Sequence, residues 1–132
     1  MRRRILESRV ARLATADGSG RPHAVPICFA MDGDRLYFAV DAKPKRTTNL
    51  KRLRNIAVNP AVSVLFDHYE EDWGRLWWVR VDGAARVLDG GHAEAERAID
   101  LLVGRYEQYR RARPNGPVVE ISVERMTGWS AR

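Results

Sequence analysis

The segment Lys43-Pro44-Lys45-Arg46-Thr47-Thr48-Asn49 sets three cations just before a stretch that reads as a helix. A helix N-terminus already carries about half a positive charge, so an added cation there costs about 0.3–1 kcal/mol. A bound phosphate reverses that sign. Free backbone N–H groups, Thr hydroxyls and the nearby Lys and Arg would then converge on one anion. The competing reading is a basic loop whose charges spread into water. The segment lacks the glycine-rich pattern of a nucleoside-triphosphate loop.

A second candidate is the stretch His23 to Met31. Its odd positions are mostly large (Val25, Ile27, Phe29, Met31) and its even ones small (Ala24, Pro26, Cys28, Ala30). Such a strand is expected to be buried on both faces, with a small-residue side that lets a flat ring approach the backbone. Plain barrel packing is the other reading. Pro26 has no N–H for a ladder, so pairing is expected to falter there. Cys28 reads as a small core residue, not a nucleophile. A third candidate is Trp77 to Gly83. Alternation puts Trp77, Val79 and Val81 on one face, and Trp78, Arg80 and Asp82 on the other. The first set reads as core. The second suits a dimer interface or the rim of a ligand site, with Trp78 a candidate cofactor contact; a partly exposed sheet face is the alternative. His23, His68 and His92 have no metal-ligand spacing. No Ser/His/Asp, paired-carboxylate or HExxH set stands out, and no catalytic side chain is assigned.

The elements that must position these residues are mostly strands. Val10 to Ala16 and residues 21–31 read as strands around the turn Asp17-Gly18-Ser19-Gly20. Asp32-Gly33-Asp34 is a hairpin signal before a strand over Arg35 to Val40. Residues 2–8 read as a short helix or arm. A helix starts near Thr47 or Thr48, with a stripe of Leu50, Leu53 and Ala57, and Asn59-Pro60 ends it. Ala61 to Asp67 and Leu76 to Leu88 read as strands, the second bending at Gly83. Residues 92–110 carry one long helix, with Ala95, Ala98, Ile99, Leu102, Tyr106 and Tyr109 on its inner face. Val119, Ile121 and Val123 alternate with polar residues as a final half-buried strand. Short strands with tight turns favour an antiparallel barrel over a parallel sheet.

A length of 132 residues fits one domain, residues 1–132. Hydrophobic residues at 45% are too many for a disordered chain. No apolar run is long enough to span a membrane, and the basic start is not followed by the apolar stretch of a secretory signal. One cysteine allows no internal disulfide, and the expected compartment is the cytoplasm. The net charge is +6, and all but three of the 23 basic residues are Arg. These arginines are scattered, apart from Arg2 to Arg4 and Arg110 to Arg113, without a nucleic-acid-binding signature.

Four stretches now point to one family: DGSGRPHAVPICF (Asp17 to Phe29), YFAVDAKPKRTTNLKRLRNI (Tyr37 to Ile56), NPAVSVLFD (Asn59 to Asp67) and RVDGAARVL (Arg80 to Leu88). With the terminal Met126-Thr127-Gly128-Trp129, they resemble the pyridoxamine-5′-phosphate-oxidase-like split β-barrel proteins. Within these, the chain looks most like the deazaflavin-dependent branch that uses coenzyme F420. The resemblance implies a mainly β fold, a six-stranded antiparallel split barrel with two helices, paired as a homodimer with cofactor sites at the interface. It implies phosphate contacts from Lys45, Arg46, Thr47 and Asn49, with Lys43 beside them, and a ring lying against Pro26, Ile27 and Cys28. The implied activity is hydride transfer between F420 and a small organic substrate. The alternatives are an FMN-binding reductase or oxidase and a non-catalytic cofactor-binding protein. Arg2 to Arg4, Arg110, Arg111 and Arg113 are available for the anionic tail of F420.

Overall fold

A computed structural model describes the backbone of residues 1–40 and 47–132, and the side chains of 1–40 and 51–132. Alternation of inward apolar and outward polar residues builds a seven-stranded antiparallel sheet. Its strands are β1 (Ala11–Ala16), β2 (Pro22–Ile27), β3 (Ala30–Asp32), β4 (Arg35–Ala39), β5 (Ala61–His68), β6 (Trp77–Leu88) and β7 (Val118–Ser130). They lie in the order β2-β1-β5-β6-β7-β4-β3. The two edge strands, β2 and β3, are consecutive in the chain and only Cys28 and Phe29 separate them. The sheet must therefore curl until its edges meet, which is the geometry of a split barrel.

The strand expected over 21–31 is thus two strands, and this raises the count from six to seven. Pro26 does not interrupt pairing, because it stands opposite Arg12 in the β1–β2 ladder. β2 has no partner on its other side, and an edge strand tolerates a residue without an N–H. The break falls two residues later. The hairpin at Asp32-Gly33-Asp34 forms as expected, with Gly33 at φ 58°. Gly83 marks the expected irregularity, a register shift between Asp82 and Gly83. A Cβ at Gly83 would lie 2.2 Å from the Ser122 carbonyl oxygen, so only glycine fits this close approach.

The core lies inside the curl. Leu13, Ile27, Phe29, Phe38, Val64, Phe66, Val79, Val81 and Ile121 are all buried there. Trp77 packs against this core, as its alternation predicts. Helix α1 (Arg2–Glu7) adds Ile5, and helix α2 (Thr47–Val58) adds Ile56. The phase of α2 differs from expectation: Ile56 and Asn55 are buried, while Ala57 is exposed. Asn55 points at the barrel because its amide donates to the buried Thr15 hydroxyl at 3.1 Å.

The long helix expected over 92–110 is two, α3 (Ala93–Arg105) and α4 (Glu107–Arg111). Tyr106 separates them with an extended backbone, φ −122° and ψ 123°. α3 covers the outer face of β3 and β4, where Tyr37, Ala30 and Ala39 meet Ala95, Ile99, Leu102 and Tyr106 in two small clusters. A charged network anchors it. Glu120, buried on β7, accepts from Arg86 Nε and a second Arg86 nitrogen at 2.9 and 3.1 Å. Arg86 also donates to Glu94 on α3, and the Tyr37 hydroxyl donates to the other Glu94 oxygen. Burial, with the Glu94 bond second, pushes Tyr37 up to about 12. Among the described residues no helix is long and apolar enough to cross a membrane.

Candidate functional site

The outer surface of the sheet divides into two halves. α3 and α4 cover β3 and β4, but none of the described residues covers the same face of β2, β1, β5 and the first half of β6. Cross-strand register fixes what this bare face presents. Arg12 stands between Pro26 and Leu65, Leu65 stands beside Arg80, and Asp67 stands beside Trp78. A shallow groove of about 520 Å³ runs across it, lined by Ala14, Ala24, Leu65, Trp78, Arg12 and Arg80 among others.

Ala24 and Pro26 are exposed on this face. The expectation that the 23–31 stretch is buried on both sides therefore fails for its first half. Only Ala30, under Leu102 and Tyr106, meets it fully. The small side chains leave the β2 backbone open to a flat molecule. Ile27 points the other way, into the core at 4% exposure, so only its backbone can face a ligand. Cys28 sits on the border between the halves, half-buried against the cluster of Ala30, Leu102 and Tyr106, on which Ala39 and Tyr109 also pack. Burial pushes its thiol up, against the opposing pull of Arg9 and Arg105. A thiol so placed is a packing residue, not an activated nucleophile.

Ala39 ends β4, and Val40 leads from it directly into residues 41–46. Lys43, Lys45 and Arg46 lie outside the described residues. Thr47 and Asn49 lie in the first turn of α2, with their side chains outside the described set. Cys28 and Ala39 thus share one cluster, and Ala39 is two residues before the basic segment. Helix α2 runs for 12 residues from Thr47.

Trp78 is not part of the small-residue surface of β2. It lies on β6, three strands from β2, which at ordinary strand spacing is about 14 Å. Around it the charges are paired. Arg12 lies 3.6 Å from Asp67 and Arg80 lies 3.2 Å from Asp82. The Ser63 hydroxyl donates to Asp82 at 2.6 Å and, with Arg80, holds that carboxyl below its ordinary value.

Five of the six arginines considered for an anionic tail are occupied within the chain. Arg2 donates to the Gly33 carbonyl, and Arg4 lies over the Trp77 ring. Arg110 donates to the Val103 carbonyl, Arg111 pairs with Glu107, and Arg113 pairs with Asp100 and Glu96. Arg3 is exposed. The three imidazoles also have places away from the bare face. His23 and His68 follow the inward alternation of β2 and β5, and His68 stacks on Trp77 and bonds Glu70. His92 caps α3.

Sequence reasoning missed the group that holds the Cys28–Phe29 corner. The Tyr106 hydroxyl accepts from the Phe29 N–H at 3.1 Å and faces the carbonyls of Arg9 and Phe29 at 2.9 and 3.1 Å. The guanidinium groups of Arg9 and Arg105 lie over its ring, at 4.7 and 5.3 Å from the centroid. Periodicity reads Tyr106 only as an apolar face residue, and no local signal links it to Phe29.

A family model described as "Pyridoxamine 5'-phosphate oxidase" matches residues 1–130. The chain belongs to this family. Solved structures agree on the fold. HutZ, the heme storage protein of Vibrio cholerae, superposes with a TM-score of 0.75 at 16% identity, over 98% of this chain and 90% of its own. An FAD-binding protein of Mesorhizobium loti gives 0.72 at 24% identity, over 96% and 89%. The conserved hypothetical protein Rv2991 of Mycobacterium tuberculosis gives 0.71 at 23%, over 97% and 81%. At these identities the likeness is one of fold. A comparison with curated proteins gives no match.

Proposed function

We propose that this chain is an oxidoreductase that binds a phosphorylated flavin-type cofactor against the outer face of β2, coenzyme F420 in the first reading and FMN in the second. One observation carries the proposal. The open, small-residue wall of Ala24 and Pro26 ends at Cys28, which packs on the same cluster as Ala39, the last residue of β4 before the chain runs on to the Lys43-to-Arg46 segment. The wall would receive the ring. Lys43, Lys45, Arg46, Thr47 and Asn49 would hold the phosphate at the start of α2. Such a cofactor supplies hydride transfer to or from a small organic substrate, and the protein supplies orientation and shielding from water. No side chain is assigned as nucleophile or proton donor.

The bare face also supports assembly as a two-fold homodimer. Its centre mixes Leu65 and Trp78 with Arg12–Asp67 and Arg80–Asp82, so it is apolar in part and self-complementary in charge. In such a dimer Trp78, three strands from β2 in its own protomer, would close the cofactor site of the partner. Haem, which HutZ stores, is the less favoured ligand here. None of the three histidines faces the bare surface, so haem would find no axial imidazole there.

The test is titration of the protein with F420 and with FMN, followed by absorbance and fluorescence. Tighter binding of F420 supports the first reading. Tighter binding of FMN moves the assignment to a flavin enzyme. Binding of neither overturns the proposal. Turnover of an electron-poor substrate panel then separates an enzyme from a cofactor carrier.

A further inference from the structure

We propose that the Tyr106 hydroxyl is a positioning group for the cofactor ring, acting through the backbone of the Cys28–Phe29 corner. This rests on the reading of the β2 wall as the ring site. The corner is where the sheet edges meet. The β1–β2 ladder stops at Ile27 and the β3–β4 ladder starts at Ala30, so Phe29 has no strand partner for its own N–H and C=O. Both groups are buried, and a buried backbone group without a partner is costly. One hydroxyl serves both. It accepts from the Phe29 N–H and shares its single proton between the carbonyls of Phe29 and Arg9.

Tyr106 can do this because three chain junctions hold it still. Its backbone is the break between α3 and α4, two guanidinium groups lie over its ring, and Tyr109 packs edge-on at 5.8 Å. Arg105 donates to the carbonyls of Leu6 and Ser8, and Arg9 donates back to the Arg105 carbonyl. The N-terminal segment, the helix break and the strand corner are therefore one rigid unit. Phe29 is next in the chain to Cys28, which forms the inner border of the ring wall. Loosening Phe29 shifts that border without touching the phosphate segment.

The decisive variant is Tyr106→Phe, which keeps the ring, the stacking of both guanidinium groups on it and the Tyr109 contact, and removes the hydroxyl with its bonds, including the 3.5 Å one from Arg105. Two measurements are needed. The first is amide exchange at Phe29, with the Val81 and Ile121 amides as barrel controls. In the wild-type chain Phe29 must be protected although it lies in no ladder. In the variant its exchange should rise by about tenfold while the controls hold. The second is the affinity and bound-state spectrum for FMN and F420. Affinity should fall by about three- to tenfold, and the bound spectrum should shift. An unprotected Phe29 in the wild type, or unchanged exchange in the variant, overturns the proposal. So does faster exchange with the same affinity and spectrum. A wild-type chain that binds neither cofactor refutes the proposed function itself, and the ring-positioning role falls with it. A variant that behaves like a cofactor-binding wild type refutes only the role of Tyr106.

Discussion

Replacing Arg86 with Ala tests how the helical cover of the β3–β4 face is held. Glu120 is 2% exposed, and its carboxylate takes two hydrogen bonds from Arg86, its cross-strand neighbour. Arg35 approaches only to 3.7 Å. Without Arg86 the buried carboxylate keeps this one distant cation. Stranding a buried acceptor costs about 1–3 kcal/mol, and breaking a fully buried ion pair about 3–5 kcal/mol. Arg86 is itself more than half exposed, so water enters where it leaves and the lower range applies. The expected loss is about 2 kcal/mol, which for a domain of this size lowers Tm by roughly 6–8 °C. Thermal unfolding followed by circular dichroism reads it directly. The pH dependence has a fixed sign. The Arg86 bonds, more than burial opposes them, hold the Glu120 carboxyl below its ordinary 4.5. A depressed carboxyl stabilises the fold above its unfolded value and loses that contribution as pH falls through the folded value. The gap between wild type and Arg86→Ala should therefore be full at neutral pH and shrink below about pH 4.5. A variant melting within about 1 °C of wild type at pH 7 would refute this account of the network.

Two further outcomes follow from the fold. Gly83→Ala should destabilise by about 2–4 kcal/mol, seen as a lower urea midpoint, because the new methyl meets the Ser122 carbonyl in a central ladder. Light scattering should give twice the 15.0 kDa chain mass, and Leu65→Asp at the middle of the bare face should return the chain mass; a monomeric wild type refutes the dimer.

The strands β1, β4 and β5 were legible as short β-prone runs bounded by turn or breaker residues. Turn chemistry at Asp32-Gly33-Asp34 and the stop at Asn59-Pro60 were equally readable, because both act within a few residues. The missed features share a long-range cause. Cys28 and Phe29 read as uninterrupted strand, and what divides them is a hydroxyl 77 residues away. The helix over 92–110 keeps its apolar period through Tyr106, yet that residue leaves the helix to bond Phe29 and Arg9. Ile56 displaces Ala57 from the core because the Asn55–Thr15 bond sets the rotation of α2. For the site, residue size located the wall of Ala24 and Pro26. Alternation put Trp78 on the right face but carried no information on its distance from β2.

The position of β2 at the rim of the sheet has a consequence for the chain in a crowded solution. A strand edge offers unpaired N–H and C=O groups, on which a strand from another molecule can add and start aggregation. Here β2 carries proline at its first and fifth residues, so two of its six N–H donors are missing. At the opposite rim β3 is only three residues long, too short to template a stable extra strand. The same Pro26 that keeps a smooth surface for a ring therefore also makes the rim a poor seed for fibres.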